Sequence, residues 1–382
     1  MSHVSYEQLA TRDDFITVST SASTSTMHSL FKTALLTLAI AGEALGRPKS
    51  AQGLDSAIKA KGKQHVGTAL TLGSDSRTED IIKGPSEFGA ITPENAMKWQ
   101  SVQPRRGEFT FGSADQHANF AVNNNKDLRC HTLVWHSQLA PWVEAGNFDN
   151  QTLVKIMEDH INTVAGRYKG KCTHWDVVNE ALNEDGSYRQ TVWYKTIGEA
   201  YIPMAFRLAA KADPNAKLWY NDYNLEYNNA KTVGAARIVK LVQSYGVKID
   251  GVGLQGHLVV EPTPTQPTIT PSRETLEGAL RKFTDLGVFV EYTEVDIRMK
   301  TPATKEKLEE QSKAYRRVVE SCMAVKKCIG ITLWGVSDKY SWIPSTFQGE
   351  GAALVWDEEF QKKPAYSGIL NAIKAAKSKW WY

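Results

Sequence analysis

The sequence predicts an α/β protein in which eight parallel strands close into a single-domain (β/α)8 TIM barrel. Eight short segments rich in β-branched and aromatic residues alternate with helical patterns from about residue 53 to residue 378. Parallel strands need helical crossovers, and closing the sheet removes both of its edges. We find no Gly/Ser-rich linker and no long run of charge in this stretch, so we expect one domain.

An open, doubly wound sheet is the alternative arrangement for alternating strands and helices. Such a sheet usually carries a Gly-rich phosphate loop after its first strand. In this sequence Gly67-Thr68-Ala69, followed by Gly73, does not form that loop. The barrel is therefore the better interpretation.

The predicted strands are short and are bounded by polar or Gly-containing turns. They cover residues 65–71, 88–94, 128–135, 174–180, 217–223, 251–258, 289–297 and 329–336. The clearest helical patterns between them are 152–168, 233–245 and 276–286. In the first of these, Leu153, Ile156 and Ile161 belong to an apolar stripe with helical spacing, and Asp149 or Asn150 is expected to cap its start.

The composition is that of a soluble globular protein. Hydrophobic residues make up 42% and charged residues 23%, which excludes a wholly disordered, collagen-like or polytopic membrane chain. The net charge of +3 gives no reason to expect a nucleic-acid partner. Eleven tryptophans and fourteen tyrosines are many for this length, and they suit either a large core or flat platforms for sugar rings.

The N-terminal residues resemble a targeting segment rather than part of the fold. Residues 17–26 contain eight Ser or Thr, which favours a disordered or gene-model extension over residues 1–26. From Met27 onward, Lys32, an apolar run over residues 34–41 and Ala44-Leu45-Gly46 fit a secretory signal over residues 27–46. The run is too short to cross a bilayer, which needs about 20 residues. We therefore expect a secreted, extracellular protein without a membrane partner; a cytosolic protein with a disordered leader is the alternative.

Polar and aromatic residues collect at the ends of seven consecutive predicted strands. Barrel enzymes carry their active sites at the C-terminal ends of the strands. One buried polar residue is usually a satisfied structural group, whereas seven such strand ends are better explained by a ligand site. The blocks are TPENAMKW (92–99), CHTLVWHSQ (130–138), WDVVNEA (175–181), YNDYN (220–224), GLQGH (253–257), EYTEVD (291–296) and LWGVSD (333–338).

Two carboxylates at these strand ends, Glu180 and Glu294, are candidates for glycosidase chemistry. Retaining glycosidases use two carboxyl groups about 5–5.5 Å apart, one as nucleophile and one as acid/base. A carboxylate at a helix start is the structural alternative for Glu180. Side chains alternate along a strand, so Asp176, Val178 and Glu180 are expected on one face, as are Tyr292, Glu294 and Asp296. The same alternation turns Asn179 away from Glu180, unless the strand ends or bulges there.

Other chemistries are weaker interpretations. His131, His136 and His257 lack the spacing of a zinc site, so we expect neither a metal nor a cofactor. Ser137 has no surrounding G-x-S-x-G motif. Cys130 and Cys172 are candidate nucleophiles, but a secreted context favours a bridge between them.

Several blocks resemble glycoside hydrolase family 10, in collinear order over about residues 53–376. They are HTLVWHSQ, WDVVNEAL, GLQGH, TEVDI and LWGVSDKYSW. The resemblance implies a (β/α)8 barrel and a fungal, secreted endo-1,4-β-xylanase that acts on xylan and xylo-oligosaccharides with retention of configuration; we expect a monomer. A retaining β-glucanase or exo-glycosidase on the same scaffold, and a non-catalytic xylan-binding protein, are the alternatives.

The resemblance also implies roles for individual residues. Glu180 matches the general acid/base and Glu294 the nucleophile. The matching sugar-binding positions are Glu94, Asn95, Lys98, His131, Trp135 and Asn179 on the non-reducing side, Gln255 and His257 beside the nucleophile, Trp334 and Trp342 at the subsite of cleavage, and Tyr223 on the leaving-group side.

The cysteines are expected to form two disulfides. The SCMAVKKC block is bridged in relatives, which implies a Cys322–Cys328 disulfide. Cys130 stands where many relatives have Gly, and Cys172 lies on the neighbouring predicted strand, so we expect these two to pair as well.

Two further features lie outside the family motifs. Asn150 heads the sequon Asn150-Gln151-Thr152, and we expect partial N-glycosylation there. The 379–382 tail, with its Trp-Trp-Tyr end, is not part of the family pattern.

Overall fold

The computed structural model describes residues 52–377, which form a closed barrel of eight parallel strands. Each barrel strand pairs with the next barrel strand along the chain, and the last pairs with the first, which closes the ring. The predicted fold is confirmed. The eight barrel strands are β1 His65–Leu70, β2 Ala90–Pro93, β3 Asp127–Val134, β4 His174–Asn179, β5 Lys217–Asp222, β6 Gly251–Leu254, β8 Phe289–Lys300 and β9 Cys328–Leu333. Two short strands, β7 His257–Val259 and β10 Glu350–Gly351, pair with β8.

Helices connect the strands and bury their apolar faces against the outside of the barrel. They are α1 Leu54–Ala60, α2 Ser76–Lys83, α3 Trp99–Val102, α4 Gly112–Asn123, α5 Pro141–Glu144, α6 Asn150–Arg167, α7 Val192–Ile197, α8 Tyr201–Ala212, α9 Ala230–Ser244, α10 Arg273–Thr284, α11 Lys305–Ala324, α12 Ile343–Thr346 and α13 Pro364–Ala375. The predicted apolar stripe of α6 is buried.

Caps decide where the predicted helices begin. The Asp149 side chain accepts a hydrogen bond from the Thr152 amide at 2.8 Å, so Asp149 rather than Asn150 caps α6. Asn229 caps α9 and Ser272 caps α10 in the same way. The apolar stripes begin one turn later, and the predicted starts of these helices were therefore two or three residues late.

The predicted strand bounds differ most around β6 and β8. Predicted strand 251–258 is two strands, β6 and β7, because Gly256 between them has a φ of 81°. Strand β8 continues three residues beyond the predicted end at residue 297, since its last part pairs with β7 and β10. The sequence around β8 does not reveal these two partners.

The interior of the barrel holds a chain of paired charges. Arg129 donates to Asp176 Oδ2 at 3.1 Å and to Glu291 Oε2 at 3.0 Å. The Nε2 of His65 lies 2.9 Å from Glu291 Oε1, and the Nδ1 of His131 lies 2.9 Å from Asp176 Oδ2. All five side chains are buried, and pairing offsets the cost of removing them from water.

Both expected disulfides are present. Cys130 in β3 is joined to Cys172, two residues before β4, with 5.8 Å between the Cα atoms. Cys322 in α11 is joined to Cys328 at the start of β9, with a Cα–Cα distance of 5.3 Å. The first bridge accounts for a cysteine at position 130, because its side chain links two neighbouring strands.

The predicted extension (1–26), signal (27–46) and tail (379–382) lie outside the described residues. Among residues 52–377, no helix has the length and apolarity that a membrane crossing requires.

Candidate active site

A cavity of about 630 Å³ opens at the carboxyl ends of the barrel strands. Residues that follow β2, β3, β4, β5, β6 and β9 contribute to its wall. Glu180 and Glu294 both line it, together with several tryptophans. The position is the one that a (β/α)8 barrel offers for a ligand.

The end of β4 turns two consecutive side chains into this cavity. The pairing of β4 with β5 shifts between Asp176 and Val178, and β4 ends at Asn179. Glu180 then adopts a left-handed conformation with a φ of 54°, which is uncommon for a residue other than glycine. As a result, Asn179 and Glu180 both line the cavity. This shift and the left-handed conformation of Glu180 break the two-residue alternation that the sequence predicts for Asp176, Val178 and Glu180.

Each carboxylate oxygen of Glu180 has its own donor. The indole nitrogen of Trp135 donates to Oε2 at 2.9 Å, and the amide of Gln255 donates to Oε1 at 3.0 Å. Arg189 also donates to the Glu180 backbone carbonyl at 3.2 Å. These hydrogen bonds hold the carboxyl group in place, and Glu180 is half-buried at the edge of the cavity.

Glu294 is more deeply buried, and it too accepts a hydrogen bond at both oxygens. Asn221 donates to Oε1 at 2.8 Å, and the Nε2 of His257 lies 3.2 Å from Oε2. Burial acts to raise the pKa of the Glu294 carboxyl. The hydrogen bond from His257 and the charge of His131 more than offset burial, so the pKa lies below its ordinary value. Glu294 is therefore ionised at mildly acidic pH.

His257 links Glu294 to a second buried carboxylate. Its Nδ1 lies 2.9 Å from Asp296 Oδ2, which also accepts a hydrogen bond from the Trp342 indole at 2.8 Å. Burial acts to lower the pKa of His257, but Asp296 and Glu294 outweigh it and raise this pKa to about 10. A protonated His257 donates from both ring nitrogens, which fixes Glu294 as the acceptor.

The expected face-sharing of Tyr292 with Glu294 was also wrong. The Tyr292 hydroxyl lies 2.9 Å from Ser321 Oγ in α11, so this side chain points outward to the helices. The pairing of β8 with β9 shifts on both sides of Tyr292. These shifts break the simple two-residue alternation along β8.

A glycine in β6 makes room beneath Glu294. A Cβ atom at Gly253 would lie 2.2 Å from the Asn221 Oδ1 atom, which is far closer than non-bonded atoms approach. Asn221 in turn donates to Glu294 and lies 2.9 Å from the Asn179 side chain. A larger residue at position 253 would therefore displace the amide that supports Glu294.

The opposite wall of the cavity holds a buried lysine. The Nζ of Lys98 donates to Asn95 at 2.9 Å and to Gln138 at 2.6 Å. Burial lowers the pKa of Lys98, and the charges of nearby glutamates oppose that effect. Glu94 beside it accepts a hydrogen bond from Thr71 at 2.7 Å. This wall offers several donors and acceptors to a polyhydroxylated ligand.

No metal centre accompanies these residues. Within residues 52–377 there is no group of three or more His, Cys, Asp and Glu side chains placed to hold a metal ion.

The chain matches the family model described as "Glycosyl hydrolase family 10" over residues 53–372. The chain belongs to glycosyl hydrolase family 10. Among curated relatives, endo-1,4-beta-xylanase 1 of Gibberella zeae is 62% identical over 327 residues, which cover 86% of this chain and 92% of the relative. Endo-1,4-beta-xylanase A of Fusarium oxysporum is 63% identical over 324 residues, covering 85% and 99% of the two chains.

Solved structures of xylanases have the same fold. Penicillium canescens endo-1,4-beta-xylanase XylE matches with a TM-score of 0.80 and 33% identity, covering 85% of this chain and 98% of that one. The family 10 xylanase from Bispora sp. MEY-1, solved with xylobiose, matches with a TM-score of 0.79 and 37% identity, covering 84% and 99%.

All thirteen site residues predicted from the family 10 resemblance line the one cavity. Ser137, which the sequence analysis weighed only as a nucleophile, also lines the cavity. The structure adds lining residues that sequence reasoning did not single out: Gln138, Asn224, Thr265, Gln266, Arg298, Thr346 and Phe347. Asn221 and Asp296, which support Glu294 and His257, were also missed as functional residues. Both occur inside blocks of the strand-end pattern, whereas the loop residues 265, 266, 346 and 347 follow no strand pattern.

Proposed function

We propose that this family 10 protein is a secreted endo-1,4-β-xylanase that hydrolyses internal β-1,4 bonds of xylan and xylo-oligosaccharides with retention. The observation that carries the proposal is the pair Glu180 and Glu294, held by different partners in one open cavity. The names of the family 10 relatives from Gibberella zeae and Fusarium oxysporum support the choice of substrate.

The first chemical step assigns different tasks to the two glutamates. The ionised Glu294 attacks the anomeric carbon, while Glu180 gives its proton to the departing glycosidic oxygen. The bond from the anomeric carbon to that oxygen breaks, and an ester between the sugar and Glu294 forms. The low pKa of Glu294 suits a nucleophile, because it keeps the carboxylate ionised where the enzyme must also hold a proton on its acid.

The second step reverses the role of Glu180. It takes a proton from a water molecule, whose oxygen attacks the anomeric carbon and releases Glu294. Two inversions at the same carbon give net retention. The positions of Trp135 and Gln255 on the Glu180 oxygens keep this carboxyl group in reach of the same oxygen site in both steps.

Substrate binding in this proposal divides between polar and aromatic walls. Lys98, Asn95 and Glu94 hydrogen-bond sugar hydroxyls on the non-reducing side. Trp334 and Trp342 cover apolar sugar faces near the cleaved bond, and the aromatic rings bury area at little cost in conformational entropy. The 2-hydroxyl group is the partner that we assign to Asn179, since hydrogen bonds there strengthen in the transition state.

A comparison of two polymers tests the substrate assignment. Purified protein should release reducing sugar from xylan much faster than from carboxymethylcellulose, and should cut xylohexaose at internal bonds. Equal rates on both polymers would favour a β-glucanase, and release of xylose alone from chain ends would favour an exo-glycosidase. Loss of xylan hydrolysis in a Glu294→Gln variant would link the activity to the cavity and exclude a contaminating enzyme.

Secretion and glycosylation are proposals supported by separate features. Two disulfides suit an oxidising compartment, and the Asn150 side chain is exposed. The Asn150 amide nitrogen donates to the Thr196 carbonyl at 2.9 Å, and a glycan would replace this contact. A mass decrease after endoglycosidase treatment of the secreted protein would support modification; an unchanged mass would contradict it.

A further inference from the structure

Glu226 is a buried carboxyl group that the proposed chemistry does not use. It lies in the 3-10 turn Leu225–Tyr227 that follows β5, and it does not line the cavity. Its Oε1 accepts a hydrogen bond from the Gly256 amide at 2.6 Å, whereas its Oε2 has no hydrogen-bond partner among residues 52–377. Burial raises the pKa of Glu226 to about 7. Burying a carboxyl group is costly, so its hydrogen bond to the Gly256 amide needs an explanation.

That contact falls on the residue between two side chains of the active site. Gly256 has a φ of 81° and forms the turn between β6 and β7. The residue before it, Gln255, donates to Glu180 Oε1 at 3.0 Å. The residue after it, His257, has its Nε2 3.2 Å from Glu294 Oε2. One short turn therefore holds a donor to each of the two glutamates.

The remaining contacts of this turn come from the main chain of the flanking strands. The backbone N–H of Gln255 donates to the backbone carbonyl of Asp222 at 3.0 Å. The backbone N–H of Glu294 donates to the backbone carbonyl of Gln255 at 2.8 Å. The Gly256 carbonyl accepts from the Asp296 amide at 3.3 Å. None of these contacts satisfies the Gly256 amide. Glu226 therefore supplies the acceptor that fixes the centre of the turn.

We propose that Glu226 is a positioning residue for both steps of the reaction. By holding the Gly256 amide, it sets where Gln255 meets Glu180 and where His257 meets Glu294. The inference rests on the proposed function in one respect, which is the assignment of Glu180 and Glu294 as the reacting carboxyl groups. The ionisable groups that interact electrostatically with Glu226 are His257, Lys231, Tyr227 and Tyr292.

Two neutral substitutions separate the acceptor from the charge. Glu226→Gln keeps a carbonyl oxygen for the Gly256 amide, and Glu226→Met has a similar length without an acceptor of that strength. We expect Glu226→Met to lower kcat by about 10- to 100-fold on both xylan and an aryl xylobioside, with KM nearly unchanged, because misplaced reacting groups slow both steps. We expect Glu226→Gln to stay within about threefold of the parent.

In a plot of kcat/KM against pH, the acid limb is the side on which kcat/KM falls as the pH falls. The position of this limb gives a readout that a loss of stability alone would not shift. His257 lowers the pKa of Glu294, so a displaced His257 should shift this limb upward by about half a pH unit in Glu226→Met. Val318→Ala, a buried change in α11 outside the barrel, serves as a control that destabilises without shifting the limb. Parental kcat and acid limb in Glu226→Met, or equal losses in both Glu226 variants, would overturn the proposal.

Hydrogen exchange keeps the test separate from the proposed function. The Gly256 amide should exchange faster in Glu226→Met than in Glu226→Gln, whether or not the parent protein cleaves xylan. An inactive parent would defeat the xylanase assignment, whereas equal exchange at Gly256 in the two variants would defeat the role of Glu226.

Discussion

At the scale of single residues, the position of Glu180 in the cavity depends on the backbone at the end of β4, where the strand stops at Asn179 and Glu180 turns into a left-handed conformation. The strand-end pattern selected Glu180 and Glu294, because charged groups at the mouth of a barrel need a use. The same reasoning lets Asn179 and Glu180 both face the cavity only if the strand ends or bulges there, but it does not say which of the two occurs. The structure shows a shifted pairing between β4 and β5, the end of β4 at Asn179 and a φ of 54° at Glu180. The rule that side chains alternate between the two faces of a strand does not allow for such a shift.

Replacing His257 should change the pH dependence of kcat/KM most directly. In a His257→Asn variant, Glu294 loses a donor and a nearby positive charge, so the pKa of Glu294 rises. We expect the acid limb of kcat/KM to move upward by about one pH unit and kcat to fall at least about tenfold. The measurement is a pH profile with an aryl xylobioside.

Trp342→Phe is the matched control for that profile. This substitution removes the 2.8 Å hydrogen bond from the indole to Asp296. It leaves in place the contacts of the two His257 ring nitrogens with Asp296 and Glu294. Its acid limb should stay close to that of the parent. An unchanged limb in His257→Asn would contradict the role given to His257.

At the scale of elements, strand and helix types followed from the sequence, whereas their ends depended on polar contacts that an apolar pattern does not register. The start of α6 depends on the Asp149 side chain, and the start of α9 on the Asn229 side chain. The break between β6 and β7 depends on Gly256, whose amide is held by a residue from the preceding loop. The two caps are local contacts that lie outside the apolar stripes, so periodicity alone did not place them. The contact between Glu226 and Gly256 joins residues 30 apart in sequence and forms only when these segments pack together.

The two disulfides should differ in how much they stabilise the fold. Cys130–Cys172 spans a sequence separation of 42 and Cys322–Cys328 one of 6. Loop-entropy arithmetic gives about 4 kcal/mol for the longer loop and about 2 kcal/mol for the shorter one. We expect the double replacement of Cys130 and Cys172 by Ala to lower the free energy of unfolding more than that of Cys322 and Cys328. Denaturant titration measures both, and the reverse order would contradict the expectation.

At the scale of the whole molecule, the buried ionisable groups set a pH range of greatest stability. On the acid side, burial alone acts to raise the pKa of Glu291, but His65 and Arg129 lower it to about 2. Its contribution is present above the unfolded pKa and is lost as the pH falls toward 2. Burial lowers the pKa of His160 and His174 to about 3, so their contribution is likewise lost as the pH falls below about 6.5.

On the alkaline side, other buried groups make contributions to stability that are lost as the pH rises. His257, with a pKa raised to about 10, stabilises fully below the unfolded value near 6.5 and loses this contribution as the pH rises through 10. Burial raises the pKa of Glu226 to about 7 and the pKa of Asp222 to about 6. Their contributions to stability are lost as the pH rises from about 4 to 7. This loss opposes the gain in stability that the neutral His160 and His174 give over the same pH range.

We therefore expect a broad maximum of the free energy of unfolding between about pH 5 and 7. Guanidinium titrations at a series of pH values measure it. A steady rise in stability from pH 5 to pH 10 would contradict this expectation, since it would mean that His257 is not held in its protonated form.

The central claim is that Glu180 is the acid/base and Glu294 the nucleophile of a retaining reaction. The most direct test is the configuration of the azide product that each alanine variant forms from an aryl xylobioside with a good leaving group. In Glu180→Ala the first step survives, and azide then attacks the anomeric carbon without a general base and displaces the Glu294 carboxylate, which predicts a β-xylobiosyl azide. In Glu294→Ala azide occupies the place of the nucleophile, which predicts the α-azide. An α-azide from Glu180→Ala together with a β-azide from Glu294→Ala would contradict the assignment.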